Sequence, residues 1–426
     1  MPAKDGSPTK LSVVMYQVGF GDCFLLSFTY PGESRHVLID FGSTGLPTDA
    51  PSDELMRIAA DVKARTGGKL HAVVETHRHA DHISGFATKN GKGPGDVIAS
   101  LNPDLVVQPW TEDPKAAPDA KQATATASEI KGFVASLDAM HNVAAAAVAE
   151  ARMLSRGSAA VTAGQLAFLG EKNLKNLSAV QNLQAMSKRH RYLNYGADSG
   201  LETVLPGVAV HVLGPPTLVQ SNAITKETSS DPTEFWQLQA LTGARFSAGR
   251  RALFPRAVAV EGARGSSSVQ WFRQRVQNIR SEGLFELVRS LDKQMNNTSV
   301  ILLFEISGKL FLFPGDAQLE NWQYALSQPE TKKLLPGVDF YKVGHHGSRN
   351  ATPKTMWALL KNKSTVRSSS RLTTVVSTMA GKFGSVAKAT EVPRNTLVAE
   401  LRKESDYSTT QDIKRPALSR VLDFTI

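Results

Sequence analysis

The sequence predicts a layered α/β fold interrupted by two largely helical insertions. Three observations predict it. Short β-rich runs open the chain and alternate with a helical stretch, strand character returns near residues 204 and 299, and the long spans between are helical in pattern. Strands followed by helices are the pattern of sheets with helices packed against them.

The runs Leu11–Tyr16, Phe24–Thr29, His36–Asp40 and Leu70–Glu75 carry the β-branched and aromatic content of strands, with Gly, Pro or Asp between them. Ser52–Arg65 places Leu55, Ile58, Ala59 and Val62 on one helical face, with Ser52 or Asp53 available as N-cap. From about Thr111 the composition shifts to Ala, Lys, Gln and Leu, with helical windows at 126–156 and 165–190. Val204–Leu213 reads as a strand closed by Gly214-Pro215-Pro216. A window at 268–294 carries Arg273, Arg275, Arg280 and Arg289. A hairpin then pairs Ser299–Ile306 with Leu310–Phe313 across Ser307-Gly308. The expected division is one α/β domain in pieces 1–110, 201–216 and 296–426, with insertions at 111–200 and 217–295.

Composition bounds the function. Of 426 residues, 41% are hydrophobic and 21% charged, the balance of a globular protein. No apolar run approaches the ~20 residues of a membrane-spanning helix. Met1–Lys10 lacks an apolar signal core, so a cytoplasmic protein is expected. A single cysteine, Cys23, excludes an internal disulfide framework and a thiolate zinc cluster. The net charge of +10 suits an anionic partner such as nucleic acid, a nucleotide or an acidic lipid surface; a mildly basic surface is the plain alternative.

The chemistry concentrates in Thr76-His77-Arg78-His79-Ala80-Asp81-His82, directly after the apolar run Leu70–Val74. In an extended loop His77 and His79 point the same way and can share a metal at ~2.0–2.1 Å. Asp81 and His82 can reach a second metal about 3.5–4 Å away. A polar loop with histidines by chance is a poor account of three imidazoles and a carboxylate in six residues.

This His-x-His-x-Asp-His run resembles the signature of the metallo-β-lactamase superfamily. Further segments resemble one branch of it, typified by the hydrolase domain of the competence DNA-uptake protein ComEC and by related phosphodiesterases and phosphorylcholine esterases. They are Gln17–Asp22, Leu38–Gly42, Asn296–Val300 with Phe313–Ala317, Lys342–Ser348, Val375–Ser377 and Pro393–Leu401. The likeness covers about 10–110, 200–216 and 296–410 and leaves both insertions unmatched. It implies an αββα sandwich, a metal-dependent hydrolase and two divalent metals, zinc or manganese.

By that resemblance the metal ligands are His77, His79, Asp81, His82, Asp316 and His346. Asp316 ends a strand in a Gly-Asp turn, where a carboxylate can bridge two cations. Adjacent side chains diverge, so the His345-His346 pair offers one ligand and one free imidazole. The resemblance assigns His346 as ligand and His345 to the substrate phosphoryl or leaving group, with the reverse assignment open. Ser348 can donate to a substrate oxygen or cap its loop. Asp40 and Asp22 orient ligands from behind or simply fix turns beside Gly42 and Gly21.

Many superfamily members supply one more histidine between the motifs. His141, His190 and His211 are the candidates, and His211 reads as a packed strand residue. The ComEC-like branch commonly lacks that ligand, and a carboxylate-rich site accepts manganese as readily as zinc. The leading function is hydrolysis of a phosphoester in DNA, RNA or a nucleotide, with Asp81 and His345 as catalytic groups. Hydrolysis of a carboxylic ester, lactone or thioester at the same site is a second reading. A partner-binding protein with a vestigial metal site is a third, and the presence of both Asp81 and Asp316 argues against it. The insertions suit a protein partner or a second copy of the chain.

Overall fold

The computed structural model describes residues 6–113, 177–217, 219–221, 295–348, 350, 352–384, 386 and 391–426. The windows at 126–156 and 268–294, His141 and the four arginines of the second window lie outside these residues. The strands in chain order are β1 Lys10–Tyr16, β2 Cys23–Tyr30, β3 Glu33–Phe41, β4 Ala72–Val74, β5 Leu105–Pro109, β6 His190–Leu193 and β7 Val208–Gly214. They continue with β8 Ile301–Ile306, β9 Lys309–Phe313, β10 Val338–Lys342, β11 Thr373–Val376, β12 Asp406–Thr409 and β13 Ser419–Thr425.

These strands form two mixed sheets. The first has the order β13-β1-β2-β3-β4-β5-β6 and the second β12-β11-β10-β9-β8-β7. In the first, β1 to β3 meander antiparallel, and β4, β5 and β6 then join in parallel. The expected hairpin is β8 to β9. Its turn has positive φ at both Ser307 and Gly308, the backbone twist that a two-residue loop needs to join antiparallel strands.

Alternation along the strands builds three apolar layers. Phe24, Leu26 and Phe28 on the inner face of the first sheet meet Phe304, Phe311, Phe313 and Phe340 of the second. The rings of Phe24 and Phe313 lie 6.1 Å apart and those of Phe28 and Phe304 6.2 Å, suited to edge or tilted contact. The outer residues Leu25, Leu38, Val73 and Val106 pack on helices α1 Glu54–Arg65, α3 Pro94–Ala99 and α4 Leu177–Ala185. Between α1 and α3 runs the single turn α2, Ala80–Ile83. On the far side, Leu303, Leu312 and Tyr341 pack against α5 Leu319–Ser327, α7 Lys354–Leu359 and α8 Asn395–Glu404, with the short α6, Pro329–Leu334, following α5. The result is an αββα sandwich, as expected from the sequence.

Two boundaries differ from expectation. Residues 177–193, placed by composition inside the first insertion, carry α4 and β6, which complete the first sheet and its helical cover. Asn182 of α4 donates to the carbonyls of Phe86 and Gly95, and β6 pairs with β5. The strand expected from Val204 begins at Val208, because Gly207 takes a positive φ of 74° and turns the chain into it. No helix among the described residues is long and apolar enough to cross a membrane.

Candidate metal centre

Four strand ends and their following loops converge at one edge of the sandwich. Asp40 lies in β3, the 77–82 run follows β4, Asp316 follows β9, and His346 follows β10. Both sheets therefore contribute, which explains how Asp81 and His346, 265 positions apart, come together. Asp81, His82, Asp316 and His346 each offer a ligand atom within 4.8 Å of the others, and all four side chains are buried. His82 Nε2 is 3.1 Å from Asp316 Oδ2, and His346 Nε2 is 3.3 Å from Asp81 Oδ2 and 3.4 Å from Asp316 Oδ2.

Both imidazoles are aimed from behind. His82 Nδ1 lies 2.7 Å from Asp40 Oδ2, and His346 Nδ1 lies 3.0 Å from the Ser377 carbonyl. A neutral imidazole that donates through Nδ1 presents the lone pair of Nε2, the form in which histidine binds a cation. Asp40 also accepts from the Thr76 backbone N–H at 2.8 Å and from its hydroxyl at 2.7 Å, so it holds the start of the histidine loop as well.

His77 and His79 stand beside this group. His77 Nε2 and His79 Nδ1 are 3.0 Å apart, and the His77 ring centroid is 4.2 Å from that of His82. Metal–nitrogen bonds of ~2.0–2.1 Å place two nitrogens on one cation about 3–3.4 Å apart, so this pair also has the spacing of a shared ligand set. Arg78 points the other way and forms a bidentate pair with buried Glu112, with its closest N–O distance 2.6 Å. That pair pins the loop between the two histidines to the end of the β5 segment.

The electrostatics are those of an intensely charged, buried cluster. Burial opposes protonation of His82, yet Asp316, Asp40 and Asp22 raise its pKa well above the usual histidine value. Burial likewise opposes protonation of His346, and Asp316 with Asp81 outweighs it, pushing the value to about 10. Burial would raise Asp316, but His82, His346 and His345 bring it well below the usual carboxylate range. Carboxylates and imidazoles that draw this strongly on positive charge fit a divalent cation in both type and placement.

The histidine pair divides as its backbone dictates. Both residues have positive φ, 44° and 52°, so the chain turns sharply and their rings part. His346 joins the metal-competent group. His345 stays outside it, with Ser348 Oγ 2.9 Å from Nδ1 and Asn296 Nδ2 3.4 Å from Nε2. Burial takes His345 down to about 4, so it is neutral at physiological pH. Ser348 is itself buried, and its hydroxyl orients His345.

The other candidate histidines lie elsewhere. His190 Nε2 is 2.9 Å from the Ser187 carbonyl, and His211 Nε2 is 2.9 Å from Glu305 Oε2. A residue the sequence reading passed over is Lys342, buried against Asp22 and within 3.7 Å of Asp316. Its signal was a lysine directly after the apolar pair Phe340-Tyr341, three positions before the histidine pair.

No curated protein matches the chain. Residues 16–88, which hold Asp22, Asp40, His77, His79, Asp81 and His82, match the family model of the metallo-beta-lactamase superfamily.

Proposed function

We propose that this chain is a metal-dependent phosphodiesterase acting on nucleic acid or a nucleotide. The observation that carries the hydrolase reading is the convergence of Asp81, His82, Asp316 and His346, with both imidazoles tied through Nδ1. The superfamily matched over residues 16–88 consists mostly of metal-dependent hydrolases, which supports the same reading. The net charge of +10 supports an anionic substrate.

His77, His79 and Asp316 would hold one divalent cation, and Asp81, His82 and His346 a second, with Asp316 shared between them. Imidazoles favour zinc, and the carboxylates admit manganese. When bound, divalent cations supply a water nucleophile at neutral pH and offset the charge that builds on phosphoryl oxygens. Asp81 accepts a hydrogen bond from the attacking water and orients it. Neutral His345 hydrogen-bonds the leaving oxygen, with Ser348 fixing its ring. Phe20, whose ring centroid is 4.3 Å from that of His346, shields that side of the site.

The test is cleavage of bis-p-nitrophenyl phosphate and of single- and double-stranded DNA, after metal stripping and reloading with zinc or manganese. Metal-restored cleavage that His79→Ala and Asp81→Ala abolish is the expected result. Tight binding of two metals without cleavage of any phosphodiester would overturn the substrate assignment and point to carboxylic esters, lactones or thioesters.

A further inference from the structure

Asp22, Asp40, Asp81 and Asp316 are all buried within this one cluster. Four carboxylates at such separations repel one another, and each needs a positive partner to remain ionised out of water. Behind the metal-competent group lies a second, deeper set, Asp22, Asp40 and His82, whose ligand atoms also fall within 4.8 Å of one another. The ammonium of Lys342 belongs to this deeper region. It contacts Asp22 Oδ2, lies 3.7 Å from Asp316 Oδ1 and donates to the Gly315 carbonyl at 3.2 Å. The lysine is 2% exposed. Asp22 Oδ1 has no hydrogen-bond partner among the described residues and faces His346 Nδ1 at 3.6 Å.

We propose that Lys342 is a positioning residue that serves as a resident cation. Its ammonium occupies the deeper carboxylate pocket, holds Asp22 and one oxygen of Asp316, and leaves the other Asp316 oxygen to the exchangeable metals. The inference rests on the metal-centre reading above and extends it to the selection of how many cations the cluster takes. A lysine suits this place because it carries one charge on a long stem rooted in β10, whereas a divalent ion there would compete for Asp316 and pull it from His82 and His346. The contact also joins the two sheets, since Asp22 lies between β1 and β2 and Lys342 ends β10.

The experiment compares the full chain with Lys342→Met and with the double variant Lys342→Met/Asp22→Asn. Bound Mn2+ is counted by equilibrium dialysis and elemental analysis, and thermal unfolding is recorded with and without Mn2+. Lys342→Met is expected to bind one Mn2+ per chain more than the parent, because the uncompensated carboxylates recruit a cation in place of the ammonium. Its unfolding temperature is expected to rise on adding Mn2+ by more than the parent's does. The double variant, with the charge pair removed as a unit, is expected to return to the parent's count. If Lys342→Met binds the same number of Mn2+ as the parent, the lysine is a structural pair and the proposal is overturned. A Lys342→Met that folds neither with nor without Mn2+, beside a stable double variant, overturns it equally. Should the parent bind no Mn2+ while Lys342→Met binds one, the metal-centre reading fails and the resident-cation proposal stands.

Discussion

A buried histidine can be driven in either direction by its neighbours, and this chain holds both cases. His346 is pushed up by carboxylates, whereas His36 on β3 is held down to about 4, first by burial and then by His71. His36 Nδ1 meets the Ser27 hydroxyl at 2.9 Å, and among the described residues no carboxylate offsets the effect of burial there. The unfolded chain protonates this residue near 6.5 and the folded one near 4, so between those values the unfolded state binds more protons. Stability is therefore full above pH 6.5 and falls as the pH drops through that window. Discounted for partial solvent screening, the loss is on the order of 1 kcal/mol. Denaturant titrations in chelator at pH 7.5 and 4.5 should show that loss in the parent and a smaller one in His36→Gln. An equal loss in both would assign the acid sensitivity elsewhere. At the metal centre, Asp40→Asn places an amide against His82 Nδ1 and removes an acceptor from Thr76. Divalent-cation affinity, measured by competition with a chelating dye, is expected to fall about 10–100-fold.

At the scale of elements, the site depends on how closely the histidine turn approaches β3. A Cβ on Gly42 would lie 2.5 Å from the Ala80 carbonyl oxygen and from the His82 backbone nitrogen. Only a residue without a side chain lets α2 sit there. Gly42→Ala is therefore expected to cost about 1–3 kcal/mol and to lower metal affinity together with stability. Thermal unfolding and the dye competition would separate the two effects, and unchanged values of both would refute the close approach. Much of this was legible in sequence because it is local: the six proposed ligands lie in three short motifs, and runs of β-branched and aromatic residues mark β1, β2 and β3. What was not legible depends on tertiary partners. The strand character of His190–Leu193 comes from pairing with β5, and composition gave that span to a helical insertion. Lys342 stood inside one of these motifs, yet the role proposed for it needs Asp22, which lies 320 positions away between β1 and β2. The division of labour between His345 and His346 likewise rests on two positive φ angles and on Ser377, none of which residue spacing encodes.

At the scale of the whole molecule, the two ends of the described chain close the first sheet together. β13 pairs with β1 through seven residue positions, from Lys10 opposite Thr425 to Tyr16 opposite Ser419. It is an edge strand, so its removal strips no second neighbour, but it uncovers the hydrogen-bonding edge of β1. It also removes Phe424, whose ring lies 5.1 Å from Phe311 and 5.8 Å from Phe340 in the opposite sheet. The strand thus seals the apolar layer between the sheets at the flank formed by β13, and its pairing is among the most non-local in the molecule. A chain ending at Leu418 is expected to lose its cooperative thermal transition or to aggregate through the open β1 edge. Phe424→Ala, which keeps the backbone pairing and deletes only the ring, is expected to fold with a loss of about 1–3 kcal/mol, less than for a fully buried ring because Phe424 is partly exposed. Circular dichroism melts and size-exclusion profiles of the two variants would distinguish the contributions. A truncated chain that melts cooperatively near the parent temperature would show that the sandwich closes without its last strand.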